Sequence, residues 1–186
     1  GHAVLCAKEL VGGDDFVCLL GDDIVVSKIP VTKQLLGTFD KYEQSVIGVM
    51  EIDPSDTKKY GVISGSTLAN DPRTLKLDAM VEKPEPLKAP SNLATPGRYI
   101  FTPRIFKFLK EIKRGVGGEY QLTDAINLLC QEEKFFAHKF KGDRFDTGNI
   151  QGYLEATIEF ALREENTRET MISIIKEKVS HYNLSI

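Results

Sequence analysis

Three short clusters carry acids and bases at spacings that can do chemistry. Gly21-Asp22-Asp23 directly follows the apolar run Phe16-Val17-Cys18-Leu19-Leu20. Carboxylates at a strand's end can supply oxygen ligands to Mg²⁺, which takes few protein carboxylates and completes its shell with water and phosphate oxygens. Read alone, the same residues also suit a polar turn. Val81-Glu82-Lys83-Pro84 sets an acid beside a base. On a strand the two side chains point to opposite faces. Glu82 can then accept hydrogen bonds from sugar hydroxyls, while Lys83 places a compact positive charge on a phosphate. Taken in isolation, two solvated residues ending an edge strand fit that pair better. In Arg144-Phe145-Asp146-Thr147-Gly148, Asp146 can be a metal ligand or a helix-capping acid. Gly61, Gly97 and Gly148 either let backbone approach a ligand or serve turns.

The elements that position these clusters alternate in type. Ala3, Val4, Ala7 and Leu10 predict a helix ending at Gly12-Gly13. Phe16 to Leu20 predicts a strand buried on both faces, as in a parallel sheet. Pro30 opens a helix with the stripe Val31, Leu35, Phe39 and Tyr42, and Ser45 to Ile52 is a second strand, closed by the turn Asp53-Pro54-Ser55-Asp56. From Tyr60 to Lys83, alternation about Asn70-Asp71-Pro72 predicts antiparallel strands with one solvated face. Pro84, Pro86 and Pro90 impose a stiff loop. Beyond it come a strand from Gly97 to Phe101, helices from Thr102-Pro103 and from near Thr123, a strand from Phe135 to Phe140, and a long helix marked by Ile150, Leu154, Ile158 and Ala161. Met171, Ile172, Ile175 and Val179 give a helical tail from about residue 164. This order predicts an α/β fold with a mixed sheet, in one domain over residues 1–186. In such sheets ligands bind beyond the carboxyl ends of the strands.

Composition narrows the possible partners. The net charge of −3 supplies no basic field for holding nucleic acid. No apolar run is long enough to span a membrane, and no signal peptide opens the chain, so the expected location is cytoplasmic. Cys6, Cys18 and Cys130 have no metal-ligand spacing and read as reduced core thiols. His2, His138 and His181 form no ligand pair and receive no role.

Taken together, the clusters resemble the bacterial UTP–glucose-1-phosphate uridylyltransferases, or UDP-glucose pyrophosphorylases. The matching text includes Leu19-Leu20-Gly21-Asp22-Asp23, Lys59-Tyr60-Gly61-Val62-Ile63, Val81-Glu82-Lys83-Pro84 and Pro90-Ser91-Asn92-Leu93-Ala94. It continues through Gly97-Arg98-Tyr99-Ile100, Gly118-Glu119-Tyr120-Gln121-Leu122-Thr123-Asp124 and Asp146-Thr147-Gly148, in register to about Leu162. The resemblance implies a Rossmann-like nucleotide-diphospho-sugar transferase fold. It implies a Mg²⁺-dependent reaction of UTP with glucose 1-phosphate, giving UDP-glucose and pyrophosphate. By the same resemblance, Asp22 and Asp146 are metal-binding aspartates and Asp22 also serves catalysis. Glu82 holds sugar hydroxyls, Lys83 holds the sugar phosphate as a catalytic and binding residue, and Gly61 and Gly97 line the sugar pocket.

The chain departs from that pattern in its first residues. The glycine-rich phosphate loop and the base-recognising glutamine and glycine are expected upstream of Gly1. The fold is therefore expected without its first strand and phosphate loop, and the chain with little or no activity alone. Exposed sheet edges and the Met171 to Val179 stripe lead to the expectation of a homo-oligomer. Gly1-His2 fits either native sequence or a tag remnant and is assigned no site. Two alternatives stay open: a glucose-1-phosphate thymidylyltransferase, and a non-catalytic sugar-phosphate-binding module of the same fold.

Overall fold

A computed structural model describes residues 1–185. In chain order, its first half comprises α1 (His2–Cys6), α2 (Lys8–Val11), β1 (Phe16–Leu19), β2 (Asp23–Val26), α3 (Val31–Tyr42), β3 (Val46–Glu51), β4 (Gly61–Leu68) and β5 (Asp71–Glu82). The second half comprises β6 (Leu93–Thr95), β7 (Arg98–Phe101), α4 (Ile105–Glu111), α5 (Leu122–Glu132), β8 (Phe136–Lys139), β9 (Asp143–Asp146), α6 (Ile150–Arg163) and α7 (Glu165–His181). These elements fall into two compact units. One joins Gly1–Leu20 to Val26–Gly142; the other joins Gly21–Val25 to the residues from Asp143 onward.

The first unit holds the mixed sheet that the sequence predicts. Its strand order is β1-β7-β3-β6-β4-β5-β8, and β3 also pairs with β8, in parallel. The circuit β3-β6-β4-β5-β8 thereby closes on itself. β4 and β5 form the expected antiparallel hairpin, with a register shift at Ser64/Gly65. Under the sheet, Ile47, Val49, Ile63, Leu77 and Phe101 pack with Phe106, Leu109, Ile126 and Leu129 of α4 and α5. Full burial of each such side chain contributes about 1.5–3 kcal/mol. Asn127 fastens α5 to β5 by two 2.8 Å hydrogen bonds, its Nδ2 donating to Met80 O and its Oδ1 accepting from Met80 N.

Several expectations need correction. β1 is not buried on both faces: it lies at the end of the strand order, antiparallel to β7, with alternate residues exposed. Val17 and Leu19 are 41% and 52% exposed. The first helix breaks at Ala7 into α1 and α2. β2, β6 and β9 have no counterpart among the predicted elements.

The second unit consists of the β2–β9 ribbon and two helices. Asn149 caps α6, its Oδ1 accepting from Gly152 N at 2.9 Å. α7 contains no buried residue, and its stripe Met171, Ile172, Ile175 and Val179 is only half-buried. Among the described residues no helix is long and apolar enough to cross a membrane.

Candidate functional site

In the first unit, the sheet brings Gly61, Glu82 and Lys83 together. Gly61 is in register with Glu82 on β5 and with Thr95 on β6. A methyl group built on Gly61 would meet Met80 Cε and lie 3.4 Å from Glu82 Oε2, so the terminal methyl of Met80 covers this backbone beside the carboxylate. Its Oε2 accepts a 2.6 Å hydrogen bond from Thr123 Oγ1. Thr123 belongs to the first turn of α5, where the helix dipole favours an acid. Glu82 is thus oriented, half-buried, and left with lone pairs for a hydroxyl.

Lys83 lies beyond the strand rather than on it. Its φ is +45°, a left-handed conformation that a side chain adopts only at a cost of order 1 kcal/mol. The Glu82-Lys83 pair is therefore divided between the last strand residue and the turn after it. Lys83 N still donates to Tyr60 O at 3.0 Å, which continues the β4–β5 ladder by one rung. Its ammonium is exposed and has no partner among the described residues.

Gly97 has a packing reason of its own. Its φ is +78°, and a Cβ there would stand 2.4 Å from Leu20 Cγ and Cδ1. Gly97 O accepts from Leu20 N at 3.0 Å, and the buried Arg98 guanidinium donates to Leu20 O at 2.9 Å. The end of β1 is held by these bonds.

In the second unit, Asp22 and Asp146 meet across Gly148. A Cβ on Gly148 would lie 3.0 Å from Asp22 Oδ2 and 3.1 Å from Asp146 Oδ1. Both oxygens therefore border the space that the missing side chain leaves. Asp22 is placed through its backbone: its carbonyl accepts from Thr147 N at 2.7 Å and Thr147 Oγ1 at 2.9 Å. Its carboxylate is exposed and unpartnered among the described residues. Asp146 Oδ1 accepts from Gly148 N at 3.0 Å, and Oδ2 lies 3.3 Å from Arg144. Asp146 does not cap α6, which is Asn149's role.

Asp23, adjacent to Asp22 in the first cluster, is used otherwise. It is 6% exposed, and Arg144 Nε donates to its two oxygens at 2.9 and 2.8 Å. This pair joins β2 to β9 from the inside. Among the described residues no three His, Cys, Asp or Glu side chains group as a metal cage. Two carboxylates around a small open space nonetheless fit a hard cation whose remaining ligands are phosphate and water.

Sequence reasoning assigned no role to Thr123, Arg144 or Thr147, although each stands inside a motif. The signal for Arg144 was its place two residues before Asp146, on the same strand face. Thr123 and Thr147 carry no signal in spacing, because their partners are distant in sequence.

The chain belongs to the nucleotidyl transferase family, whose profile matches residues 1–162. It is 43% identical over 177 residues to UTP–glucose-1-phosphate uridylyltransferase 2 of Staphylococcus saprophyticus, covering 95% of this chain and 61% of that relative. The fold resembles a UDP-glucose pyrophosphorylase crystallised with UDP-glucose, with a TM-score of 0.83 and 38% identity over 88% of this chain and 62% of that one. A UTP-bound enzyme of Acinetobacter baumannii gives a TM-score of 0.82 and 31% identity, covering 95% of this chain and 61% of the other. The chain thus spans about three fifths of the length of the relatives it matches.

Proposed function

We propose that the protein to which these residues belong transfers a uridylyl group from UTP to glucose 1-phosphate, giving UDP-glucose and pyrophosphate. A phosphate oxygen of the sugar attacks the α-phosphorus of UTP, and the bond from that phosphorus to the bridging oxygen of pyrophosphate breaks. Such a transfer depends on positioning and charge neutralisation more than on a covalent nucleophile. Glu82, held by Thr123, accepts hydrogen bonds from sugar hydroxyls. Lys83 offsets the charge of the incoming phosphate. Asp22 and Asp146 would hold Mg²⁺. That ion, when bound, neutralises phosphate charge as it develops.

The carboxylate pair over Gly148 is the observation that carries this reading. A module that only binds a sugar phosphate has no use for two acids held beside an open space. The names of the relatives support uridylyl rather than thymidylyl transfer, and turnover of UTP against dTTP by the complete protein tests that choice. We place the protein in the cytoplasm and infer a homo-oligomer, for which the half-exposed stripe of α7 offers a surface; sedimentation equilibrium of the chain with and without the residues after Glu165 tests the latter.

Calorimetric titration of the 186-residue chain with UDP-glucose tests the metal role directly. Binding is expected to weaken about tenfold or more when Mg²⁺ is chelated, and equally in Asp22→Ala. Binding indifferent to both changes would establish the non-catalytic module instead.

A further inference from the structure

Lys83 is followed by Pro84, and the residue before a proline is ordinarily extended. Its φ of +45° is instead left-handed, and such a conformation persists where the surrounding structure over-determines it. Thr57 is the buried residue that meets this segment. It belongs to the 3₁₀ turn Pro54–Lys59, between β3 and β4, and is 1% exposed. Its Oγ1 stands 3.1 Å from two carbonyl oxygens, Pro54 O within the turn and Pro84 O from the segment after β5. One hydroxyl hydrogen therefore serves both acceptors.

Backbone bonds complete a closed ring about Lys83. Tyr60 N donates to Thr57 O at 3.2 Å, and Lys83 N donates to Tyr60 O at 3.0 Å. Lys83 leads covalently to Pro84, whose carbonyl returns to Thr57 Oγ1. Both sides of Lys83 are thus tied to one threonine, the amide through Tyr60 and the following carbonyl directly. In this ring the Thr57 hydroxyl is the single side-chain link. The turn is itself fixed at its start, where Asp53 Oδ1 accepts from Ser55 N at 2.8 Å and from Ser55 Oγ at 2.7 Å. Pro84 is buried, and its pyrrolidine ring sets its own φ. The Lys83 side chain, by contrast, is exposed. A long side chain on a fixed backbone has less freedom to lose on meeting a ligand than one on a loose backbone.

We propose that Thr57 is a positioning residue for the transfer reaction: its hydroxyl locks the Lys83-Pro84 backbone so that the Lys83 ammonium is presented to the sugar phosphate. The proposal rests on the reading that Lys83 holds that phosphate. Thr57 is buried and acts through Lys83, as Thr123 acts through Glu82 on the sugar hydroxyls. All of these residues lie in the first unit.

Calorimetric titration of the 186-residue chain with glucose 1-phosphate tests the assignment as a double-substitution cycle. Lys83→Ala is expected to weaken binding about tenfold. Thr57→Val keeps the side-chain shape, removes the hydroxyl and is expected to weaken binding about fivefold. Added to Lys83→Ala, Thr57→Val should change affinity no further, because the ammonium it positions is gone. Thr57→Ser keeps the hydroxyl and should bind as the unsubstituted chain does. A threonine with a structural role alone would lower the unfolding temperature of Thr57→Val without this coupling. A Lys83-dependent affinity that Thr57→Val leaves unchanged would overturn the proposal, as would a loss that persists in full beside Lys83→Ala. Thr57→Ser binding as weakly as Thr57→Val would overturn it too. Undiminished affinity in Lys83→Ala would instead remove Lys83 from the phosphate, and so the reading on which the proposal stands.

Discussion

Glu82 and Asp22 are both acids at strand boundaries, yet they are held in opposite ways. Glu82 closes the twelve-residue strand β5, rests on the core and has its side chain fixed by Thr123. Asp22 sits between two four-residue strands, and only its carbonyl is pinned, by Thr147. A carboxylate that reads hydroxyl geometry needs a fixed rotamer. One that meets a cation needs free lone pairs at a fixed backbone position. The two units thus provide side-chain order in one case and backbone order in the other.

The largest expected effect tests what maintains that backbone order. Arg144→Met removes the guanidinium that pairs with Asp23, whose side chain is 7% exposed, and so breaks a buried ion pair. Loss of about 3–5 kcal/mol is expected, with hydrogen exchange rising in β9 and α6 while β3 and β8 keep their protection. Asp23→Leu/Arg144→Met should recover most of the stability, because the desolvated charge is gone. Equal loss of protection in both units would mean that the ion pair supports more than the ribbon.

A smaller contrast comes from two glycines. A Cβ at Gly152 would stand 1.9 Å from the carbonyl oxygen of Asp146, which cannot yield without moving that residue. A Cβ at Gly61 meets the flexible terminal methyl of Met80 at 2.0 Å, which can swing away. Gly152→Ala should therefore cost about 3 kcal/mol and Gly61→Ala about 1 kcal/mol in thermal unfolding. In the same titrations, Gly152→Ala should abolish the Mg²⁺ dependence of UDP-glucose binding. Gly61→Ala should weaken binding and keep that dependence. The opposite assignment of the metal effect would refute the division of labour between the units.

How much of this was legible in sequence follows from the reach of each interaction. The β4–β5 hairpin shows in alternation on either side of Asn70-Asp71-Pro72, because its partners are neighbours. α3 and α6 show in their apolar stripes. β2 and β9 do not show, since Asp23-Ile24-Val25-Val26 and Asp143-Arg144-Phe145-Asp146 are four residues each and pair across more than a hundred others. β6 is only three residues beside Pro96, too short for alternation to show. At the site, Asp22, Glu82 and Asp146 were visible as residues at element ends. That Asp23 turns inward to Arg144 depends on burial, which no spacing encodes, and the left-handed backbone of Lys83 lies just past the last residue of β5.

The smallest effect lies in the hydrogen bond that orients Glu82. Thr123→Val keeps the shape of a side chain that is 4% exposed and removes only the donor. The stability change should stay near about 1 kcal/mol, the net worth of one such bond. If Glu82 reads sugar hydroxyls, freeing its rotamer should weaken glucose 1-phosphate binding several-fold, because ordering one side chain then falls to the bound complex. Since the Thr123 hydroxyl donates to Glu82 within the first unit, the ratio of affinities with and without Mg²⁺ should not move. Calorimetry on the valine variant reads both quantities at once. A changed metal ratio with unchanged sugar affinity would assign the Thr123–Glu82 bond to the cation and remove the distinction between the two carboxylates.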